Sequence, residues 1–233
     1  MWGCIVCCRS PSLQNLNNKL ITRYNTVLLV LTAGFCDAIT FVSADKLFSA
    51  HVTGNFIVFA YDIINGAELV TWVRLLTFPV FFLAVMTGGW VSASSRNKYS
   101  ILRAEAILLI AGGLASLLLT YAHIISMRTG FAIALLVVFA MGLQNAFGKL
   151  FSKDTYGPTT MMTGNTTQAA LNLFSYISTG KRPPALMESL KHDALILSGF
   201  LGGCLLGALA GKLIGLSGLV VPGIILLFVR KAR

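Results

Sequence analysis

The amino-acid sequence predicts an all-α polytopic membrane protein, and its composition is the first reason. Of the 233 residues, 56% are hydrophobic and only 11% are charged. A typical soluble domain has roughly 45–50% apolar and about 25% charged residues. A soluble fold of this length cannot bury so much apolar surface. The second reason is that the apolar residues form separate stretches of about 20, the length that crosses a bilayer as a helix.

Six apolar stretches predict six transmembrane helices. They cover residues 24–43, 75–95, 102–122, 129–148, 194–212 and 214–229, the last interrupted by Pro222. Two further segments are unusual, because residues 51–64 are too short to cross and residues 159–177 are rich in Thr, Asn and Gln. Apolar stretches of about 10–14 residues are typical of re-entrant or interfacial segments. We therefore expect two short re-entrant or broken helices beside the six spans.

The positive charges predict the orientation of the chain. If the two short segments re-enter, 14 of the 18 Lys and Arg residues lie on one side; if both segments cross, only 11 do. Lys and Arg collect on the cytoplasmic side of membrane proteins, so the re-entrant arrangement is favoured. It gives a cytoplasmic N-terminal tail (1–23), a membrane domain (24–229) and a cytoplasmic C-terminal tail (230–233). The net charge of +10 then requires no nucleic-acid partner.

Enzyme and cofactor motifs are missing from the sequence. Metalloprotease, nucleophile-elbow, phosphate-loop and dinucleotide-binding signatures are all absent. Cys4, Cys7 and Cys8 lie in the N-terminal tail with no His nearby, so they predict neither a metal site nor a disulfide framework. We expect no catalytic residues, no metal and no cofactor.

Repeated motifs predict that the membrane domain arose by duplication. Thr53-Gly54-Asn55 recurs 110 residues later as Thr163-Gly164-Asn165. Upstream, the segment around Asp37 corresponds to the segment around Asn145, at an offset of 108. The two halves are then residues 24–122 and 129–229. Each half has three spans, an odd number, so the second half enters from the opposite face. The result is a 3+3 inverted repeat, an architecture found in many transporters.

The two Thr-Gly-Asn (TGN) units are the first candidate binding residues. Gly permits a break in a helix, and Thr and Asn side chains accept hydrogen bonds from the free N–H groups of a helix N-terminus. A helix that begins at membrane depth points a partly positive end into the interior, which suits an anion or the polar end of a solute. The alternative is that the six residues only cap two short, packed helices.

Four other polar residues complete the predicted binding set. Asp37 lies in the first apolar stretch, where a carboxylate is rare and faces the bundle interior or water. It could bind a cation or relay a proton, or it could only hold a neighbouring helix. Gln144 and Asn145 could bind a polar solute or join two helices. His51 could titrate near neutral pH or simply lie at the interface.

Other polar and small residues predict structural roles. Glu105 and Asp193 lie near the ends of predicted spans, which places them at the membrane interface. The Gly-rich stretches 111–115 and 202–211 predict close helix packing. The same small-residue surface could also form a homo-oligomer.

The order of these motifs resembles the YoaK-like family of bacterial inner-membrane proteins, which carry a domain of unknown function. The resemblance covers residues 24–229 and rests on Gly34, Asp37, Ala38, His51, Thr53, Gly54, Asn55, Gly142, Gln144, Asn145, Ala146, Thr160, Thr163 and Gly164. Asn165 makes the second unit a closer copy of the first than the family pattern requires. The resemblance implies a multi-pass protein of the bacterial inner membrane, and it implies no activity.

Together these observations predict a transporter or channel for a small polar solute or ion. Its path would lie between the two halves and would be lined by the TGN units. Membrane lipids would surround the protein. Two alternatives remain open. The first is a sensor or assembly protein that transports nothing, in which the polar motifs only join helices. The second is a membrane enzyme that acts on a lipid or quinone, whose polar cluster would open sideways to lipid.

Overall fold

The computed structural model describes residues 11–66, 71–95, 97–178 and 183–230, and these ranges are helical with short connections. The helices are α1 (Pro11–Ser43), α2 (Gly54–Ile64), α3 (Thr71–Ser94), α4 (Ser100–Tyr121), α5 (Met127–Leu150), α6 (Met162–Ser178), α7 (Pro184–Ile214) and α8 (Val220–Leu227). Short 3-10 helices cover Ser152–Asp154 and Gly215–Leu219. The tail cysteines Cys4, Cys7 and Cys8, and the charged residues Arg9, Arg96, Lys181, Arg182, Lys231 and Arg233, lie outside the described residues.

Within the described ranges, five helical segments are long and apolar enough to cross a membrane. They are Leu16–Ser43, Thr71–Ser94, Ser100–Tyr121, Met127–Leu150 and the continuous segment Pro184–Leu227. The prediction of an all-α, multi-pass membrane fold is confirmed at this level. The first helix is longer than predicted, because α1 begins at Pro11 and not at residue 24. The polar residues 11–23 therefore continue the first apolar helix as helical turns.

The last predicted span is divided into two short helices. Gly215 ends α7 with φ +61°, a backbone conformation that glycine adopts without strain. The 3-10 helix and α8 follow, and Pro222 lies in the first turn of α8, where its missing N–H costs no intrahelical hydrogen bond. The chain then returns along α1, since the Asn25 side chain pairs with the backbone of Arg230 at 2.8 and 3.0 Å.

Glycine contacts fix the relative directions of the long helices. Gly199, Gly203 and Gly207 of α7 meet Val30, Leu31 and Phe35 of α1 in the same order, so α1 and α7 run parallel. A Cβ at Gly203 would lie 2.3 Å from the Leu31 carbonyl oxygen, so only glycine allows this approach. The close packing predicted for residues 202–211 is confirmed.

The second parallel pair is α3 and α5. Gly88 of α3 lies against Ala146 of α5, and Gly142 of α5 lies against Ala84 of α3. By contrast, α4 and α8 run antiparallel, since Gly113 meets Val220 and Ala106 meets Gly223. Helices α1, α4, α5 and α8 enclose the larger apolar core, which includes Leu29, Cys36, Leu109, Met141 and Leu226.

Candidate functional site

Two short helical hairpins form the candidate site. The first hairpin comprises residues 44–64, a loop followed by α2. The second hairpin comprises residues 155–178, a loop followed by α6. Each TGN unit lies where the loop passes into the short helix. At 11 and 17 residues, α2 and α6 are shorter than the about 20 residues of a transmembrane helix.

Contacts at the two ends of the first hairpin show that it leaves and returns at one end of the bundle. Arg74 of α3 binds Asp45 near the start of the hairpin at 2.8 Å and Asp62 near its end at 2.7 Å. It also donates to the Asp45 carbonyl oxygen at 2.6 Å. The Arg74 side chain is only 3% exposed, and its charge is matched by these two acids, as a buried guanidinium requires. The hairpin is therefore closed at its base.

The tip of the first hairpin is anchored by Asp37 to α1, six residues before that helix ends at Ser43. One carboxylate oxygen accepts the backbone N–H groups of Ser49, Ala50 and His51 at 2.8, 2.7 and 3.3 Å. The other lies 2.7 Å from His51 Nδ1. Three backbone N–H groups therefore converge on one carboxylate oxygen. Asp37 thus fixes the depth that the loop reaches along α1.

His51 lies in the loop, outside the long helices, and its side chain is 34% exposed. Its hydrogen bond to Asp37 raises the pKa of the imidazole, against the opposing effect of burial. The ring edge packs on Phe200 of α7. A cavity of about 530 Å³ lies beside this pair and is otherwise mainly apolar, lined by residues such as Phe41, Phe48 and Leu205.

Asn55, in the first turn of α2, is hydrogen-bonded to the loop of the first hairpin. Its side-chain amide exchanges two 2.8 Å hydrogen bonds with the backbone N–H and carbonyl of Phe48. A third bond, of 3.0 Å, goes to Thr77 of α3. Asn55 is completely buried, whereas Thr53 is exposed. The capping role predicted for Thr53 is wrong, because its side chain makes no cap hydrogen bond to α2.

The second hairpin repeats this geometry. Asn165 donates to the Pro158 carbonyl at 2.7 Å, and residues 158 and 165 stand 110 positions after Phe48 and Asn55. Asn172, 110 positions after Asp62, binds Asp193 of α7 at 2.6 Å. Near the start of the hairpin, Tyr156 stacks on His192, the neighbour of Asp193, at 3.6 Å. Both ends of this hairpin therefore lie beside the same turn of α7.

The second tip is anchored to α5 by neutral side chains. Gln144 donates to Thr159 Oγ1 at 2.9 Å and to the Leu29 carbonyl of α1 at 2.8 Å. Asn145 donates to Thr160 Oγ1 at 2.7 Å. Asn145 thus holds the second tip as its counterpart Asp37 holds the first. Leu29 and Asp37 are eight residues apart, so the two anchors are offset by about 12 Å along α1 at 1.5 Å per residue.

The predicted site residues therefore divide into two groups. Asp37, Asn55, Gln144, Asn145 and Asn165 bind the protein's own backbone and side chains. His51, Thr53, Thr163 and Gly164 are at least partly exposed. Gly54 allows the Phe48 ring to approach, whereas a Cβ at Gly164 would meet open space.

The sequence did not indicate the roles of two residues or the burial of a third. Arg74 holds the base of the first hairpin, and an Arg inside a helix as apolar as α3 is a signal for a buried partner. The Asn55–Phe48 pairing has no such signal, because it depends on the loop conformation. Glu105, which was predicted near the end of a span, is 0% exposed and is therefore packed inside the bundle. In the described part of the chain, no group of three or more His, Cys, Asp or Glu side chains could hold a metal ion.

Comparison with known proteins identifies the family to which this chain belongs. A model described as "Protein of unknown function (DUF1275)" matches residues 26–230, which is nearly the whole membrane domain. The chain belongs to the DUF1275 family. No curated protein and no solved structure matches it. Membership in DUF1275 covers both hairpins and both anchors, so the site described above lies wholly within the family domain.

Proposed function

We propose that this DUF1275 protein is a transporter or channel that moves a small polar solute or ion across the membrane. The observation that carries the proposal is the pair of matched hairpins, each anchored by its tip to a long helix. Short helices that begin at membrane depth are tolerated only where they are buried in protein or line a water-filled cavity. In transporters with inverted repeats, such broken helices meet around the permeating species.

The proposed architecture has six crossings and a 3+3 inverted repeat. Its support is the direction of the helices: α1 parallel to α7, α3 parallel to α5, and a chain that returns from Gly215 to Arg230 beside Asn25. With these directions, the base of the first hairpin lies at the opposite end of the bundle from the base of the second. The repeat pairs α1 with α5 and α3 with α7, and it relates the α1–α7 contact to the α5–α3 contact.

We further propose that the end of the bundle near Arg230 faces the cytoplasm, in a bacterial inner membrane. Most described Lys and Arg residues lie at that end, including Lys19, Arg23, Lys98, Lys149, Lys153, Lys191 and Arg230. The opposite end has Lys46, Arg74, Arg128 and Lys212, and Arg74 is neutralised by two acids. The positive-inside rule favours this orientation.

The solute-contacting groups would be His51, Thr53 and Thr163. The amide side chains predicted to line the path are occupied by anchoring, so the partly exposed polar groups at the two tips remain to meet a solute. Thr53 and Thr163 occupy matched positions, one residue before Gly54 and Gly164, and both are exposed. They offer one hydroxyl from each hairpin.

Flux measurements on the purified protein in proteoliposomes test this proposal. Light scattering would follow entry of small neutral solutes such as urea and glycerol, and fluorescent dyes would follow entry of monovalent ions. We expect at least one solute to enter faster than in protein-free vesicles. Thr53→Val and Thr163→Val should slow that entry. Thr87→Val is the matched control, because that hydroxyl bonds only the Leu83 carbonyl of its own helix. Equal rates in all three variants would contradict the proposed path.

One observation favours the second candidate function, an enzyme or binding protein for a lipid-soluble molecule. The Asp37–His51 pair lies at a mainly apolar cavity, as a lipid or quinone site would require. Leu205→Trp would fill this cavity from α7. Loss of a co-purifying lipid or quinone in that variant, with solute flux unchanged, would support the second candidate over transport through the cavity.

A further inference from the structure

Glu105 of α4 is a carboxyl group buried without a partner. Its side chain is 0% exposed, and neither carboxyl oxygen has a hydrogen-bond partner among the residues that the structure describes. The surrounding core is apolar and includes Ile101, Leu102 and Ala106 on the same helix. Ionising a carboxyl in such surroundings is very costly, so the group is held in its neutral, protonated form. A protonated carboxyl inside a membrane bundle is uncommon and marks ion pathways or proton relays.

Its position along the bundle links Glu105 to the two hairpins. Leu102 and Ala106, which flank Glu105 on α4, belong to the same buried core as Cys36 of α1, and Cys36 lies between Leu29 and Asp37, the two residues of α1 where the hairpins are anchored. Thr32, on the same stretch of α1, and Gln144, which anchors the second hairpin, each have a buried oxygen atom without a partner. The Ser49 hydroxyl at the tip of the first hairpin is also unpaired. These buried oxygen atoms can therefore still form hydrogen bonds.

The other ionisable groups of the surrounding helices do not neutralise Glu105. On α1, Cys36 is a buried thiol, and its neighbour Asp37 is occupied by the first hairpin. On α5, Arg128 and Lys149 are at the helix ends and exposed. On α3, Arg74 is paired with acids. The segment Gly215–Leu227, which packs on α4, has no ionisable side chain, and Arg103 on α4 itself is exposed.

We propose that Glu105 is a proton-binding site that couples this protein's transport to the movement of a proton. The inference rests on the proposed function. In the conformation described here the carboxyl keeps its proton in the dry core between the anchors. When the hairpins move and water or a solute reaches this level, the carboxyl can ionise and release the proton. The unpaired hydroxyl groups of Thr32 and Ser49 are available to donate hydrogen bonds to the ionised carboxylate in that second state.

The first test asks whether Glu105 is protonated, and it does not depend on transport. Glu105→Gln replaces a neutral carboxyl with a neutral amide of the same shape, so the variant should fold like the wild-type protein. The infrared difference spectrum between the two proteins at neutral pH should contain the carbonyl band of a protonated carboxylic acid. Glu188→Gln, at an exposed carboxylate paired with Lys19, is the control and should not remove that band. Absence of a Glu105-dependent band would overturn the inference.

The second test measures proton movement directly. Proteoliposomes containing a trapped pH-sensitive dye would be given an inward proton gradient, with potassium and valinomycin to balance charge. We expect wild-type protein and Glu188→Gln to let protons enter, alone or with a solute from the flux panel, and Glu105→Gln to lose this entry. If Glu105→Gln admits protons and solute at the wild-type rate, the proton-coupling role is wrong while the transport proposal stands. If the wild-type protein moves neither, the transport proposal and the coupling that rests on it both fail, even if the band is present.

Discussion

The two hairpins have the same geometry but are held by different chemistry. The first is held by charges. The Asp37 carboxylate accepts hydrogen bonds from three backbone N–H groups and pairs with His51, and Arg74 forms salt bridges with Asp45 and Asp62. The second is held mostly by neutral groups, with Gln144 and Asn145 on threonine hydroxyls. At both anchor positions a hydrogen bond holds the tip, and at the second position it does so without a charge. The charged hairpin should therefore be the more strongly fixed and the more sensitive to pH.

The tip anchors should show the largest difference between the hairpins. Asp37→Ala leaves several buried backbone donors unpaired, and at about 1–3 kcal/mol each the variant should lose about 3–5 kcal/mol of stability. Asn145→Ala removes one neutral hydrogen bond and should cost only about 1 kcal/mol. Equilibrium unfolding of the purified proteins in mixed micelles measures both values. Equal losses would mean that the Asp37 contacts do not fix the first tip.

The internal asparagines should differ by a smaller amount. Asn55→Ala loses three hydrogen bonds and should cost about 2–3 kcal/mol, against about 1 kcal/mol for Asn165→Ala, which loses the bond to Pro158. Both variants should still express. The same unfolding assay, with flux measured in parallel, separates a folding role from a transport role. A greater loss of stability in Asn165→Ala than in Asn55→Ala would contradict the comparison.

The base of the first hairpin should be the next most sensitive position. Arg74→Gln removes a buried cation, but Asp45 and Asp62 are 45% and 23% exposed, so solvent screens the charges left behind. We expect a cost of about 1–2 kcal/mol. Asp193→Asn, at the base of the second hairpin, can keep a hydrogen bond to Asn172 and should cost less than about 0.5 kcal/mol. Proteolysis of the 65–71 connection would report opening of the first base, and equal cleavage in both variants would argue against it.

The smallest expected effect is a pH dependence confined to the first hairpin. The folded protein raises the pKa of His51, so this stabilisation is fully present below the ordinary histidine pKa of about 6.5. It is lost as the pH rises through the raised value, at a cost of less than about 1 kcal/mol. Thermal unfolding across this range should be pH-dependent in the wild-type protein and flatter in His51→Gln. Parallel curves for the two proteins would show that His51 does not cause the pH dependence of stability.

The two short helices could be predicted from the sequence because small polar motifs stand out in apolar helices. The TGN units and the Asp37–Asn145 correspondence predicted two short helices at matched positions, and α2 and α6 begin there. Which groups the asparagines bind was not predictable, since Phe48 and Pro158 contribute only backbone atoms. The burial of Glu105 was missed for a related reason. Helix α4 is apolar around most of its circumference, so periodicity does not indicate which face packs inward.

The side of the membrane on which each hairpin begins and ends tests the central claim most directly. Single cysteines would be introduced at Lys46 and Asn65, which flank the first hairpin, and at Lys153 and Ser178, which flank the second, with the five native cysteines replaced. A membrane-impermeant maleimide would then be applied to intact cells and to inverted vesicles. The account predicts that 46 and 65 react from one side of the membrane and that 153 and 178 react from the other. Reaction of 46 and 65 from opposite sides would make α2 a full crossing and would contradict the matched re-entrant hairpins.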